Sequence, residues 1–374
     1  MFIEIVLKHM IDRFFKDLPE EIFNFIKSLQ KDSLVNYLPA KRGVTDVGKS
    51  IELGFSCYAL KIYYMTSNWD TLATEKKDEW HDFLNSFQSV HKNFPNNSYI
   101  DKFLISSLSE GGLIENFKDI TKSTLTKLNV KQFDSKSIKI KKAVNAETKQ
   151  AISTLIEVGR KSKDHVDFPY ENKEKLLRYL NNLNWNTPWT SGAQFSSLCV
   201  YSKLNNNLYK EELYDFLQNL NNQSTGSYHL EGLNDEREII NGAMKVISGL
   251  DWLEMPIHKP KELIDFCLSN IPVSEGCDIV DFVYVLYMCS KQLNYKKKEI
   301  NNLFLEILPQ LRRLYNEEDH AFSYFINKSQ THYYGAKITN GEEAADIHGS
   351  LLCLWAVLMI LDNLEEKPEN YRII

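Results

Sequence analysis

The stretch Asp346-Ile-His-Gly-Ser-Leu-Leu-Cys-Leu-Trp-Ala-Val-Leu358 carries the fold argument: small and polar residues open it, and the helix that follows has no polar face. A helix that is apolar all round has to be covered on every side, whereas a surface helix needs only one apolar stripe. Four more segments read the same way. They are Gly48-Lys-Ser-Ile-Glu-Leu-Gly-Phe-Ser-Cys-Tyr-Ala-Leu60, Trp189-Thr-Ser-Gly-Ala-Gln-Phe-Ser-Ser-Leu-Cys-Val-Tyr201, Asn241-Gly-Ala-Met-Lys-Val-Ile-Ser-Gly-Leu250 and Gly276-Cys-Asp-Ile-Val-Asp-Phe-Val-Tyr-Val-Leu-Tyr287. In the later part of the chain they begin roughly 35 to 70 residues apart. Alternation of fully apolar helices with more charged ones predicts an inner ring wrapped by an outer ring, an α/α toroid. An open α-solenoid built from the same pairs is the alternative.

Outward from these segments, apolar residues recur at three- and four-residue intervals over Glu20 to Gln30, Lys49 to Thr66, Lys76 to Gln88, Thr148 to Ser162, Lys173 to Asn182, Lys210 to Leu220, Lys261 to Ser269 and Lys298 to Tyr315. Turn chemistry interrupts them at Pro95-Asn-Asn-Ser, Asn186-Thr-Pro, Asn221 to Gly226 and Asn340-Gly. Strand-like alternation is scarce. The expectation is an all-α protein, residues 1–374 forming one toroid domain, with 1–30 an amphipathic N-terminal helical segment and about 120–149 a Lys-rich exposed loop or helix.

Composition excludes several classes. A 43% apolar and 25% charged balance is that of a globular chain. A net charge of −6 argues against a nucleic-acid binder, although the lysines between Lys122 and Lys149 form one basic stretch. The 20 Phe, 19 Tyr and 6 Trp fit either a bulky core or an aromatic-lined cavity. Six scattered cysteines without a CxxC pair read as free thiols in a reducing compartment, so the expected location is the cytoplasm. Charges at Glu4, Lys8, Asp12 and Arg13 interrupt the apolar N-terminus, which is no signal peptide, and no transmembrane segment is expected. Walker, Gly-x-Gly-x-x-Gly, Gly-x-Ser-x-Gly, His-Glu-x-x-His and EF-hand patterns are absent.

A closed ring would gather polar groups at the N-terminal ends of its inner helices. Asp278 and Asp281 lie three residues apart and share a helix face. Asp278 reads as a helix cap or a substrate contact, and Asp281 as the acid or base, because burial raises a carboxyl pKa. The run Ser329-Gln-Thr-His-Tyr-Tyr-Gly335 looks like a site loop. There His332 suits a general base, Tyr333 and Tyr334 suit proton donors or stacking platforms, and Gln330 suits a substrate contact. Asp346 reads first as the cap of the last helix and is also counted with the substrate contacts. His348 is placed to face the pocket, and Gly349 to admit a close neighbour. Trp185, Trp189 and Gln194 form one candidate wall, and Tyr228, His229 and Glu231 another.

At these residues the chain resembles the terpenoid cyclase and protein prenyltransferase β-subunit superfamily, mainly over residues 185–365. Gly226-Ser-Tyr and Ala321-Phe-Ser-Tyr-Phe stand before inner helices as that superfamily's repeat turns do. Asp278-Ile-Val-Asp281 resembles the Asp-x-Asp-Asp motif of cyclases that protonate an alkene, with Val280 at the proton-donating position. In the prenyltransferase pattern Asp281 and His348 fall at zinc-ligand positions, while Val283 replaces the ligating cysteine. No cofactor is expected; zinc or magnesium on Asp281 and His348 is what the resemblance leaves open. The expected protein is a toroid enzyme acting on an isoprenoid or other lipid-like small molecule. A carbohydrate lyase or hydrolase using His, Tyr and Asp on a saccharide is the first alternative, and a non-catalytic ligand- or protein-binding scaffold the second. Oligomeric state is left open.

Overall fold

The computed structural model describes residues 14–15, 17–109, 135–272 and 276–374. Its helices in chain order are α1 (Leu18–Ser28), α2 (Asp46–Ser50), α3 (Leu53–Met65), α4 (Asn68–Thr71), α5 (Thr74–Asn85), α6 (Lys102–Ser109), α7 (Lys136–Glu157), α8 (Lys173–Asn182), α9 (Pro188–Leu204), α10 (Lys210–Leu220), α11 (Glu236–Trp252), α12 (Pro260–Ser269), α13 (Cys277–Gln292), α14 (Lys297–Arg312) and α15 (Ile347–Asn363). Strand structure among the described residues consists of three two-residue hairpins: β1–β2 (Gln88–Ser89 with Ser98–Tyr99), β3–β4 (Tyr315–Asn316 with Ala321–Phe322) and β5–β6 (His332–Tyr333 with Ala336–Lys337). The protein is all-α.

Two kinds of helix are present, as the hydrophobic pattern predicts. Twelve of the thirteen residues of α3 are buried, Lys61 included, and thirteen of the seventeen of α15. By contrast α8 buries Leu176 and Leu180 alone, and α10 only Leu213 and Leu217, the single stripe of a surface helix. The buried helices pack in sequence: α3 on α7, α7 on α9, α9 on α11, α11 on α13, α13 on α15, and α15 on α3. The striped helices cover them, α5 on α3, α10 on α9, α12 on α13, and α14 on α13 and α15, while α1 bridges α3 and α15. Each fully buried Leu, Ile, Val or Phe side chain contributes roughly 1.5–3 kcal/mol, so both faces of α15 bind it in place.

Local signals start the helices where they begin. Asp235 caps α11 by accepting from Glu238 N at 3.0 Å, Asn172 caps α8 through Lys175 N at 2.9 Å, and Pro188 and Pro260 occupy the first turns of α9 and α12. The segment ahead of α3 runs beside the segment ahead of α15. Ala40 bridges to Asp346, Val44 to Thr339, and Arg42 reaches Glu318 at 2.7 Å and Asp319 at 3.1 Å.

The Lys-rich stretch departs from expectation. Residues 110–134 lie outside the described residues, and so do 1–13 of the N-terminal segment. From Lys136 the chain is a helix of 22 residues whose first turns are exposed, but from Ala143 it is sandwiched between α3 and α9. Packing between two apolar helices outweighs the polar composition, and Lys149 is drawn inward.

Among the described residues no helix is long and apolar enough to cross a membrane. All six cysteines are unpaired and buried.

Candidate functional site

The N-terminus of α15 is tied to the two hairpins before it. Asp346 accepts from Gly349 N at 2.8 Å through one oxygen, and from Tyr324 N at 2.7 Å and Gln330 N at 3.0 Å through the other. Burial raises its pKa to about 6 against the pull of these N–H donors. Both oxygens are spent on backbone, so Asp346 is a joint and not a substrate contact. One turn in, the His348 ring stacks between Tyr58, at 4.6 Å and 5° between planes, and Tyr324, at 5.1 Å and 28°. Its Nδ1 lies 3.1 Å from Gln330 Oε1, which selects the Nδ1–H tautomer and leaves the Nε2 lone pair free to accept. Burial, helped by the charge of Lys245, lowers the His348 pKa to about 3, so the imidazole is neutral at ordinary pH. Gly349 is needed here, since a Cβ would stand 2.4 Å from Tyr324 N and push that ring off His348.

Hairpin β5–β6 delivers the tyrosines. Adjacent residues of a strand face opposite sides, so Tyr333 is buried while His332 is exposed, with Nδ1 3.0 Å from Thr331 Oγ1. His332 therefore does not join the cluster. Tyr333 packs on Phe55 and Tyr58, and its hydroxyl donates to Glu147 Oε1 at 3.4 Å. A Cβ on Gly54 would lie 2.2 Å from that hydroxyl. Glu147 is buried, its Oε2 lacks a partner, and burial with nearby Asp101 raises its pKa well above the usual range. The turn residues Tyr334 and Gly335 both take left-handed backbone, with φ of 48° and 97°. Tyr334 is 42% exposed, and burial raises the pKa of its hydroxyl.

Helices α11 and α13 face each other with three polar rungs. Arg237 Nε meets Asp278 Oδ2 at 2.7 Å, Asn241 Nδ2 donates to Asp278 Oδ1 at 2.6 Å, and Lys245 Nζ stands 3.7 Å from Asp281 Oδ2. Asp278 is not the cap of α13, a place taken by Gly276 at φ 72°. Asp281 is 1% exposed, and neither of its oxygens has a hydrogen-bond partner. Burial raises its pKa to about 6, with Lys245 opposing and Asp278 reinforcing.

Two further lysines join them. Lys61 on α3 meets both oxygens of Glu157 on α7, at 2.6 and 2.5 Å. Lys149 Nζ donates to Ser196 Oγ at 2.6 Å, and Ser196 lies 2.9 Å from Ser248 Oγ. Lys149 keeps partial solvent contact, but burial and then the charge of Lys245 lower its pKa to about 7. Lys245 thus acts on Lys149 of α7, Asp281 of α13 and His348 of α15.

The structure therefore gathers Asp281, Asp278, Gln330, Tyr333, Tyr334 and His348 of the expected residues. Trp189 stands at the margin, its ring under Arg237 at 5.6 Å. Gln194 is held between helices by Asn145 at 3.2 Å and Tyr179 at 3.4 Å. Tyr228 is a core residue bonded to His258 at 3.2 Å, His229 bonds Thr225 at 2.9 Å, and Glu231 is exposed in a loop. Sequence reasoning missed Tyr58, Lys61, Glu147, Lys149, Glu157, Lys245 and Tyr324. For Lys61 and Lys245 a signal existed: each is the lone charge within a run of otherwise apolar or small residues.

Two clefts flank the α11–α13 pair. One, of about 520 Å³, reaches the cluster at Arg237, Asn241 and Asp278; the other, of about 440 Å³, lies toward the C-terminal ends of both helices, beside Tyr284, Lys291 and Ile373. Among the described residues no three His, Cys, Asp or Glu side chains are placed to hold a metal ion. No family model, curated protein or solved structure matches the chain.

Proposed function

We propose that the six buried helices close into an α/α toroid with this cluster along its axis, and that the protein is an acid–base enzyme acting on a saccharide. Closure is supported by the packing order, which returns from α15 to α3. It is supported again by Lys245, whose charge acts on groups of three other helices, as a side chain on the axis would.

The observation that carries the catalytic reading is Asp281. A buried carboxyl without a hydrogen-bond partner destabilises a fold, and a structural role would have favoured a neutral residue. A pKa of about 6 suits proton transfer near neutrality. Protonated Asp281 delivers its proton to the leaving oxygen as the glycosidic C–O bond breaks, and water adds to the anomeric carbon and returns a proton to Asp281. The Lys245 ammonium, 3.7 Å away, stabilises the carboxylate that remains. Neutral His348 offers Nε2 as an acceptor for a sugar hydroxyl, and Tyr58 and Tyr324 hold its ring in place.

A saccharide is favoured over an isoprenoid because the Lys149 ammonium and the Asp281 carboxyl would meet a hydrocarbon chain with unpaired polar groups. Six buried free thiols support the cytoplasm as the place of work.

The test is turnover of neutral and uronate-containing oligosaccharides, read as new reducing ends, by the wild type and Asp281→Asn. Loss of an acid–base group lowers the rate by about 10²–10⁴. Equal rates in both proteins remove Asp281 from the mechanism. Turnover of a prenyl diphosphate and of no saccharide replaces the substrate class.

A further inference from the structure

We infer that Lys149, flanked by Lys245 and Lys61, is a subsite for the carboxylate of an acidic sugar. The inference rests on the saccharide reading above and names the sugar's charge. The charges of Lys61 on α3 and Lys245 on α11 act on Lys149 of α7, and the surroundings of the three differ. Lys61 is neutralised by both oxygens of Glu157, and Lys245 faces Asp281. Lys149 meets no carboxylate among the described residues; its one hydrogen bond goes to Ser196 Oγ.

The hydroxyl chain fixes which protons are left. Lys149 donates to Ser196, and Ser248 donates to the Lys245 carbonyl at 2.8 Å, so the proton between the serines comes from Ser196. Every hydroxyl hydrogen of the chain is therefore spent. An ammonium has three N–H donors, and those that Lys149 does not give to Ser196 remain for a ligand. Lys149 as a residue is half-buried.

An ammonium without a carboxylate partner takes an anionic group, and on a molecule otherwise made of hydroxyls that group is a carboxylate.

The titratable groups acting on Lys149 are Lys245 on α11, Lys61 on α3, Cys199 on α9, whose buried thiol stays neutral, and Glu157 on its own helix. Its pKa of about 7 lies below that of an ordinary lysine, so the charge is present below about pH 7 and lost above it.

Calorimetric titration of the full chain with glucuronate, and with glucose, inorganic phosphate and sulfate as comparators, tests the subsite. Glucuronate is expected to bind about tenfold or more tightly than glucose at about pH 6, and to weaken by up to about tenfold per pH unit above 7. Lys149→Met is expected to lose that preference, Lys149→Arg to keep it, and Asp281→Asn to keep it while losing turnover. That last pairing separates failure of the subsite from failure of the acid–base reading. A preference that survives Lys149→Met, phosphate or sulfate binding more tightly than glucuronate, or no glucuronate binding by the wild type overturns the inference. Should Lys149→Met not fold, the wild-type pH series decides, and a pH-independent preference overturns it as well.

Discussion

Two buried carboxylate–lysine pairs sit among the same buried helices and are built to opposite standards. Glu157 and Lys61 touch through both oxygens at 2.5 and 2.6 Å. Asp281 and Lys245 stand 3.7 Å apart with both carboxylate oxygens unpartnered. The first pair joins α3 to α7 with every carboxylate oxygen bonded, although burial still outweighs Lys61 and raises the Glu157 pKa; the second leaves both oxygens of its carboxyl without a hydrogen bond, and burial raises its pKa to about 6. Burial alone does not separate the two pairs. Satisfaction does: a group whose bonds are already made has nothing to offer a substrate.

Removing one partner from each pair should therefore move stability in opposite directions. Glu157→Ala strands the Lys61 ammonium between α3 and α7 and is expected to destabilise by about 3–5 kcal/mol in denaturant unfolding. Asp281→Asn removes a charge that the fold compensates poorly, and is expected to be at least as stable as the wild type at pH 7. Equal losses in the two variants would erase the contrast.

The same contrast has a pH signature. The folded pKa of Asp281 is raised to about 6, whereas an unfolded aspartate titrates near 4. The folded state then binds the proton more tightly, so stability is greatest below about pH 4 and falls as pH rises to about 6, by about 3 kcal/mol in total. Asp346 is raised to a similar value and titrates in the same window, but it is present in both proteins. The wild-type minus Asp281→Asn difference isolates Asp281. A difference that stays flat between pH 4 and about 6 contradicts a raised pKa.

How much of this was legible from residues alone depends on where each residue lies. The apolar segments that begin near Pro188, Glu236, Cys277 and Ile347 announced their helices because nothing but burial explains a helix without a polar face. Asp281 and His348 were visible as polar residues near the openings of such helices. Lys149 was not, because Thr148-Lys-Gln150 reads as a solvated run, and only the packing of α7 between α3 and α9 turns it inward. His332 and Tyr333 were interchangeable on paper. Their hairpin has a period of two, and its phase is set by Gly54 making room for the Tyr333 ring, a contact across nearly the whole chain.

That contact gives a smaller effect. Gly54→Ala places a methyl 2.2 Å from the Tyr333 hydroxyl and should displace the ring from Glu147, at about 1–3 kcal/mol of stability. The Glu157–Lys61 pair, farther along the same two helices, should hold them together, so the expected outcome is a lowered unfolding midpoint with unchanged helicity by circular dichroism. Loss of helicity would mean that Tyr333 holds α3 against α7 and belongs with the structural pair.

Tyr334 should give the smallest change in stability and a clear one in binding. It occupies the first position of a two-residue turn in which both residues have positive φ, where asparagine is preferred and a bulky side chain costs about 1–2 kcal/mol. Against that cost stands one ring contact, to Tyr333 at 4.5 Å, of about 0.5–1.5 kcal/mol. Tyr334→Asn relieves the first and forfeits the second, so stability is expected to stay within about 1 kcal/mol of the wild type. If Tyr334 belongs with the unsatisfied groups, its partly exposed ring is kept for a ligand, and saccharide affinity should fall while the fold does not notice. A variant that instead unfolds several kcal/mol more easily would show the ring to be a plug for the core, satisfied in the way that Glu157 is.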